Sequence, residues 1–213
     1  ALPICGLSLA EVEKILAVPD VADPLGVRDR AILEVLYGTG LRRLESVNLD
    51  VADIDRARGL VLVRRGKGGK DRLVPLGAQA VGWVDRYLET CRPLLEVGAA
   101  ERALFLSGYG GRMNPNYLGN WVRKTIDRAQ LGKTGSCHLF RHACATHLLE
   151  NGADLRMIQE LLGHARLDTT QIYTAVSITQ LREVHARCHP RGLTKSAEAA
   201  ASADLPPEEK ATP

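Results

Sequence analysis

Six residues spread along the chain are of the types needed to cleave a phosphodiester without a metal ion. Two arginines, a lysine and two histidines can surround the oxygens of a pentacoordinate phosphate, and a tyrosine can attack its phosphorus. In chain order, these residues are Arg42, Lys67, His138, Arg141, His164 and Tyr173. Each one alone has an ordinary structural explanation, so the prediction of a reaction depends on their joint occurrence.

The densest of these segments is HLFRHACATHLL at 138–149, in which His138 and Arg141 are three residues apart. At that spacing two side chains share one face of a helix, so the imidazole and the guanidinium can address a common anion. The segment LLGH ends at His164, and Tyr173 follows nine residues later. A guanidinium keeps its charge at physiological pH and can donate two parallel hydrogen bonds to phosphate oxygens. Such bonds stabilise the negative charge that develops on a phosphate under attack.

The same region permits a second interpretation, a zinc site. Five cysteines and histidines cluster there: Cys137, His138, His142, Cys144 and His147. His138 and His142 have the i, i+4 spacing that can chelate zinc. No Glu follows the first His as in H-E-x-x-H, and zinc would leave the arginines unexplained. We therefore expect no metal and no other cofactor.

The composition is that of an ordinary globular protein, with 45% hydrophobic and 25% charged side chains in 213 residues. The five cysteines are scattered without a C-x-x-C pair, which favours reduced thiols over a disulfide framework or a zinc ribbon. No apolar run approaches the ~20 residues that a membrane span needs. The N-terminal ALPICGLSL has no secretory pattern, so we expect a cytoplasmic protein.

Positive charge is concentrated in one part of the chain. The net charge is only +3, but residues 42–192 carry 23 basic and 15 acidic side chains. Within them, RRGKGGKDR at 64–72 has five basic residues and one acid. Such a run is either a solvated hairpin tip or a loop that contacts nucleic-acid phosphates. The candidate DNA-contacting residues are Arg43, Arg64, Arg65, Lys70 and Arg72.

Periodicity predicts a mainly α-helical fold with a small three-stranded antiparallel sheet, an α+β arrangement. Helices are expected at 7–20, 26–40, 42–49, 78–90, 115–130, 138–151, 154–162, 168–174 and 178–187. Strands are expected at 49–55, 60–64 and 71–76, and a short extended piece at 103–106. Ser8 and Glu11 form a capping box that starts the first helix, and Gly38 and Gly40 are expected to stop the second.

Four linked motifs resemble those of the tyrosine recombinases, the lambda-integrase-like family, and most of all the bacterial Xer-type recombinases. They are TGLRRLE at 39–45, GKGGKDRLVPL at 66–76, HLFRHACATHLLENGADLRMIQELLGH at 138–164 and TTQIYT at 169–174. The resemblance covers roughly residues 7–191. It implies the fold of the family's catalytic domain.

The resemblance also assigns roles by motif. Arg42 and Arg141 take the places of the catalytic arginines, Lys67 that of the hairpin lysine, and Tyr173 that of the nucleophile. His138 and His164 fill the two histidine positions, and Glu45 matches an acidic residue that supports the first arginine. The implied reaction is metal-free DNA cleavage and rejoining through a 3′-phosphotyrosyl intermediate. His138 would act as the base, and Lys67 would protonate the 5′-oxygen.

The family acts as four protomers on two double-stranded DNA sites, so the implied partners are a recombination site and a homotetramer or related protomers. Free in solution we expect a monomer, in the bacterial cytoplasm and associated with the nucleoid when acting. The segment 177–188 resembles the helix that docks onto a neighbouring protomer, although its apolar residues fit packing on its own domain equally well. Those apolar residues are Ile178, Leu181 and Val184.

The sequence departs from the family pattern at several points. Arg43 and Leu44 stand where the family often has an aliphatic or small residue and then Ser, and Lys70 is a neighbouring candidate for the role of Lys67. Family members usually carry a further N-terminal helical domain that clamps DNA. We therefore expect residues 1–192 to be a catalytic-domain fragment, followed by a disordered tail at 193–213 that is rich in Ala, Glu, Lys, Ser and Pro.

Two other functions remain open on these residues. A type IB topoisomerase uses the same chemistry, and relaxation of supercoils without joining of two sites would identify it. A truncated chain could instead hold DNA or dock another protomer without cutting. An assay for a covalent protein–DNA adduct separates this binding module from an enzyme.

Overall fold

The computed structural model describes residues 6–64, 71–97, 101–163 and 175–192. In these ranges the helices are α1 (Leu9–Leu16), α2 (Pro24–Thr39), α3 (Arg43–Val47), α4 (Ala78–Thr90), α5 (Arg92–Leu95), α6 (Pro115–Arg128), α7 (Cys137–Glu150), α8 (Leu155–Leu162) and α9 (Ala175–Cys188). The strands are β1 (Ile54–Asp55), β2 (Leu60–Val63) and β3 (Arg72–Pro75). The expected mainly helical fold with a small antiparallel sheet is confirmed.

Helix α2 is the element around which the described fold is assembled. It is buried along most of its length and packs against α1, α4, α7 and β3. Since neighbours cover it on several sides, its buried residues are spread around the helix instead of along one stripe, and they include the charged Arg28 and Glu34. The predicted capping box of α1 is confirmed: the N–H of Glu11 donates to Ser8 Oγ, and the N–H of Ser8 donates to the Glu11 carboxylate at 2.7 Å.

Helix α2 ends at Gly40, which has a left-handed φ of 60° and whose N–H donates to the carbonyl of Leu36 at 3.1 Å. This is the usual position of a glycine after a helix. The expectation that Gly38 also stops the helix is wrong, because Gly38 lies inside the last turn. A Cβ built on Gly38 would meet the Cβ of Ala80 in α4 at 3.7 Å, an ordinary contact distance.

The three strands pair in the order β1-β2-β3, and Val63 of β2 lies opposite Arg72 of β3. The first strand is shorter than the expected 49–55. Its first half forms a 3-10 turn at Val51–Asp53, because the N–H of Asp50 donates to the Asp53 carboxylate at 2.9 Å and curls the chain.

Part of the predicted 103–106 extended piece pairs with residues of the predicted 49–55 strand that lie outside the observed β1. Asp50 forms an isolated antiparallel bridge with Ala103, and the N–H of Leu104 donates to the carbonyl of Leu49 at 2.9 Å. Helix α5 was not predicted. The helix expected at 168–174 and the tail expected at 193–213 lie outside the described residues.

Helix α9 packs on its own chain and is fastened to the end of α2 by two buried histidines. His185 Nε2 lies 2.7 Å from the carbonyl oxygen of Gly38, and His189 Nε2 lies 3.2 Å from that of Tyr37. A carbonyl only accepts, so each Nε2 carries a proton. The two rings stack at 4.7 Å, and Leu181 of α9 is 3% exposed. Of the two packing modes open for this segment, the structure therefore shows packing within the chain.

No helix in the described part of the chain combines the length and the apolarity that a membrane crossing requires.

Replacing Gly40 by Ala should destabilise the protein by about 2 kcal/mol, because a side chain at positive φ is strained. The new Cβ would also lie 2.7 Å from Leu162 Cδ2. Gly82→Ala is the matched control, since Gly82 lies in α4 with no atom within 4 Å of a Cβ built on it. That control should gain about 0.5–1 kcal/mol. Urea unfolding followed by circular dichroism measures both, and equal effects would contradict the assignment.

Acid should weaken the attachment of α9. Burial lowers the pKa of His185 to about 4, against 6.5 for the free side chain. Between pH ~6.5 and 4 the His185 side chain is protonated in the unfolded chain but not in the folded one. Its contribution to the unfolding free energy is therefore fully present above pH ~6.5 and is lost as the pH drops towards 4. His185→Gln, which keeps a donor for Gly38, should reduce this slope by up to about 1.4 kcal/mol per pH unit. Unfolding free energies measured from pH 8 to 4.5 would refute this if the two slopes are equal.

Candidate active site

Arg42 is placed by the junction between α2 and α3. After Gly40, the buried Leu41 (1% exposed) anchors the chain, and Arg42 then occupies the N-cap position of α3. Its side chain is 32% exposed. The backbone is thus fixed by the core while the guanidinium still reaches the surface.

Arg141 lies on α7, one turn after His138, and its guanidinium bridges two other elements. Nη1 donates to the carbonyl of Gly40 at 2.7 Å, and Nη2 donates to that of Leu162 at 2.8 Å. It therefore ties the end of α2, which leads into Arg42, to the end of α8. Arg42 and Arg141 face the same region of the molecule.

Three consecutive carbonyls at the C-terminus of α8 each accept a hydrogen bond from a different arginine. The pairs are Leu161 with Arg72 Nε at 3.3 Å, Leu162 with Arg141 Nη2 at 2.8 Å, and Gly163 with Arg42 Nη2 at 3.2 Å. The last carbonyls of a helix lack helical partners and carry the negative end of its dipole, so cations bind them favourably. The helix end thereby gathers three guanidiniums directly before position 164.

Glu45 lies between two of these arginines. Its Oε1 accepts from Arg42 Nη1 and Arg72 Nη1, both at 2.9 Å. Its Oε2 accepts from Arg72 Nη2 and from the backbone N–H of Arg42, again at 2.9 Å. Burial alone would raise the pKa of Glu45, but the bonds and charges of Arg72 and Arg42 outweigh it and lower the pKa to about 2. The carboxylate is therefore ionised at neutral pH.

Positive charge exceeds negative charge in this group. The four side chains Arg42, Glu45, Arg72 and Arg141 sum to a formal charge of +2. The pKa of Arg141 is lowered to about 10, first by burial and then by the charges of Arg42 and Arg72, although Glu45 opposes them. A partly buried surplus of guanidinium charge favours binding of an oxyanion, for which arginine has the matching paired N–H geometry.

His138 is exposed in the first turn of α7. Three residues separate it from Arg141, so it shares a face of the helix with that arginine. Lys67, His164 and Tyr173 lie outside the described residues.

A sequence profile of the phage integrase family matches residues 7–180. The chain belongs to the phage integrase family.

Curated relatives of the chain are tyrosine recombinases. Tyrosine recombinase XerC 2 of Ralstonia nicotianae is 51% identical over 95% of this chain and 58% of its own length. Tyrosine recombinase XerD of Pseudomonas aeruginosa is 49% identical over 87% of this chain and 62% of its own length. The chain therefore spans about three fifths of these relatives.

Solved structures agree with this assignment. The XerA recombinase is 30% identical, with a TM-score of 0.68 over 96% of this chain and 66% of its own. XerH, a site-specific recombinase bound to a palindromic difH substrate in a post-cleavage complex, is 29% identical, with a TM-score of 0.65 over 85% of this chain and 52% of its own. The fold is that of a tyrosine recombinase catalytic domain.

The candidate DNA-contacting arginines of this integrase-family chain occupy different environments. Arg43 is exposed beside α6, where a Cβ on Gly119 would lie 2.9 Å from its Nη1. Arg64 is half exposed and pairs with Asp53 at 2.6 Å. Arg65 and Lys70 lie outside the described residues.

Arg72 differs from the exposed DNA contact that the charge run suggests. Its side chain is 6% exposed, and both of its terminal nitrogens donate to Glu45. The signal that identifies its position is the strand period. Arg72 and Val74 are two residues apart in β3 and both are buried, whereas Leu73 between them is partly exposed.

The cysteines and histidines of the zinc interpretation have other surroundings. His147 Nδ1 lies 2.8 Å from the hydroxyl oxygen of Tyr37, and His142 is exposed beside Gly6. Cys144 is buried against the site of Gly40, and burial raises the pKa of its thiol to about 12. Among the described residues, no three His, Cys, Asp or Glu side chains form a group that could hold a metal ion.

Glu45→Gln should destabilise this integrase-family domain by about 3–5 kcal/mol, because it leaves the buried guanidinium of Arg72 and the partly exposed one of Arg42 without their counter-charge. Asp85→Asn is the control. Asp85 pairs with Arg56, but the two side chains are 37% and 52% exposed, so the loss should be below about 1 kcal/mol. Thermal unfolding at pH 7 measures both variants, and a similar small loss for each would show that Glu45 does not balance the arginines. Added sulfate should restore stability to Glu45→Gln but not to Asp85→Asn.

Proposed function

We propose that the chain is the catalytic domain of a site-specific recombinase that cuts and rejoins DNA through a 3′-phosphotyrosyl intermediate without a metal ion. The observation that carries this proposal is the gathering of Arg42, Arg72 and Arg141 at the end of α8. The surplus positive charge of this group fits a DNA phosphodiester, and the end of α8 that gathers it directly precedes His164 in the sequence.

Arg42 and Arg141 would bind the two non-bridging oxygens of the scissile phosphate. Each guanidinium uses its terminal nitrogens on the protein, through Glu45 and Gly163 for Arg42 and through Gly40 and Leu162 for Arg141. Each terminal nitrogen has two N–H groups, so one N–H on each can still reach an oxygen. Because these donors are fixed before DNA arrives, charge developing on the phosphate is stabilised with little reorganisation.

The covalent step makes one bond and breaks one. The Tyr173 hydroxyl oxygen attacks phosphorus, its proton passes to His138, and the bond from phosphorus to the 5′-oxygen breaks. Lys67 gives a proton to that leaving oxygen, and His164 donates a hydrogen bond to a non-bridging oxygen. The phosphotyrosine keeps the ester bond energy, so attack by a 5′-hydroxyl reverses the step without ATP.

The proposed partners are a double-stranded recombination site and further recombinase protomers. The XerH structure, 29% identical, is a recombinase bound to its DNA substrate after cleavage, which supports a DNA partner for this chain. Exposed Arg43 and half-exposed Arg64 are suitable for contacts to DNA phosphates. Packing of α9 on its own chain supports a monomer in free solution. The tetramer on DNA is proposed from the resemblance to the family alone.

The test is formation of a covalent adduct on a pool of short, end-labelled duplexes with randomised sequence and one nick. The nick lets the cleaved end diffuse away, so an adduct accumulates and survives detergent. Wild type should form it, and Tyr173→Phe should not. Arg141→Lys should lower the rate by about 100-fold or more, because a point charge cannot replace a paired donor.

Each other outcome selects a different function. An adduct that persists in Tyr173→Phe removes Tyr173 from the mechanism. Relaxation of supercoiled plasmid without joining of two sites identifies a topoisomerase. DNA binding with a steep salt dependence but no adduct identifies a binding module.

A further inference from the structure

Arg72 connects three elements that carry different parts of the site. It is the first residue of β3, its Nη1 and Nη2 donate to the carboxylate of Glu45 on α3, and its Nε donates to the carbonyl of Leu161 on α8. Its guanidinium also lies under the backbone of Gly163, where a Cβ would come within 3.1 Å of it. A side chain 6% exposed is poorly placed to contact DNA itself.

The bonds to Glu45 show what Arg72 does for its neighbour. Arg72 takes the two-point contact with the carboxylate, while the side chain of Arg42 makes a single contact through Nη1. Arg42 therefore keeps Nη2 directed at Gly163, the end of α8 where the phosphate is proposed to bind.

Without Arg72, the same carboxylate would have one guanidinium partner among these residues. Arginine and carboxylate prefer a two-point contact. Arg42 would then turn towards Glu45 with both terminal nitrogens, and its Nη2 would leave the end of α8. Arg72 therefore acts on the phosphate site through Arg42.

Arg72 also fixes the β2–β3 hairpin relative to the arginines. It lies opposite Val63 in the sheet, and Lys67 is five residues before it in the sequence. The bonds from Arg72 to α3 and α8 hold the strand that follows the lysine segment against the arginine cluster.

We propose that Arg72 is a positioning residue that occupies the Glu45 carboxylate, so that Arg42 remains directed at the scissile phosphate, and that holds β3 against the same site. This inference rests on the proposed function. Arg72 does not touch the DNA; it sets the rate of cleavage through the orientation of Arg42.

The experiment compares Arg72→Met and Arg72→Lys with the matched variants Arg28→Met and Arg28→Lys. Arg28 is 3% exposed and has the same kind of surroundings: two nitrogens donate to Asp29, and Nη1 donates to the carbonyl of Leu106. The measurements are the unfolding temperature, the affinity for the nicked duplex pool and the single-turnover rate of adduct formation with saturating DNA.

Arg72→Met should lower the single-turnover rate with saturating DNA by about 100-fold, while DNA affinity falls by no more than about tenfold. Arg28→Met should lower the unfolding temperature comparably without changing that rate at 25 °C. Arg72→Lys, which keeps the charge and is the second variant if Arg72→Met does not fold, should remain about tenfold or more below wild type, because an ammonium cannot make the two-point contact. Equal rates for the Arg72 and Arg28 variants, or a loss confined to DNA affinity, would overturn the proposal.

A second readout separates this inference from the proposed function. Inorganic phosphate binding is followed by NMR of the arginine Nε–H signals, which requires no cleavage. Wild type should show shifts of Arg42 and Arg141, and Arg72→Met should weaken phosphate binding by about tenfold while Arg28→Met leaves it unchanged. If wild type forms no adduct but this pattern holds, the proposed function fails and the positioning role stands. Unchanged phosphate binding in Arg72→Met removes that role.

Discussion

The end of helix α8 and the carboxylate of Glu45 together hold three arginine side chains close to one another. Three guanidiniums would repel one another in this partly buried region. They are held there because each donates to a carbonyl at the end of α8, and two of them also pair with Glu45. The negative end of the helix dipole and one ionised carboxylate offset part of the repulsion. What remains is a formal surplus of positive charge, which favours an anion over a cation at this place.

This arrangement depends on the core beneath it. Arg42 follows directly from α2 through Gly40 and Leu41, and the carbonyl of Gly40 is itself a partner of Arg141. The same last turn of α2 receives His185 from α9, through the carbonyl of Gly38. Helix α9 and Arg141 are therefore bound to the carbonyls of Gly38 and Gly40, two residues apart at one helix end. A movement of α9 would act on the element that leads into Arg42.

Local rules predict some elements of this structure, whereas contacts between distant residues decide others. The capping box of Ser8 and the helix stop at Gly40 follow from residues within one turn, and both predictions are confirmed. The strand expected at 49–55 has the right alternation, but the Asp50–Asp53 contact turns its first half, and alternation alone does not reveal that competition. The motifs predict that Arg42 and Arg141 act together, and the structure shows that both donate to carbonyls at the end of α8. Arg72 was grouped with the exposed basic run, because charge says nothing about which face of a strand a residue occupies.

The register of the β2–β3 hairpin decides whether Arg72 meets Glu45. Side chains alternate along a strand, so a slip of one residue would place Leu73 against Glu45 and turn Arg72 outwards. The buried carboxylate would then lose its two-point partner, and the cost of that unpaired charge opposes the slip. Ordinary hairpins fix their register through apolar residues, and here Val61 opposite Val74 contributes in that way. The pair between Arg72 and Glu45 adds a polar constraint, which couples correct pairing of the strands to correct charge in the site.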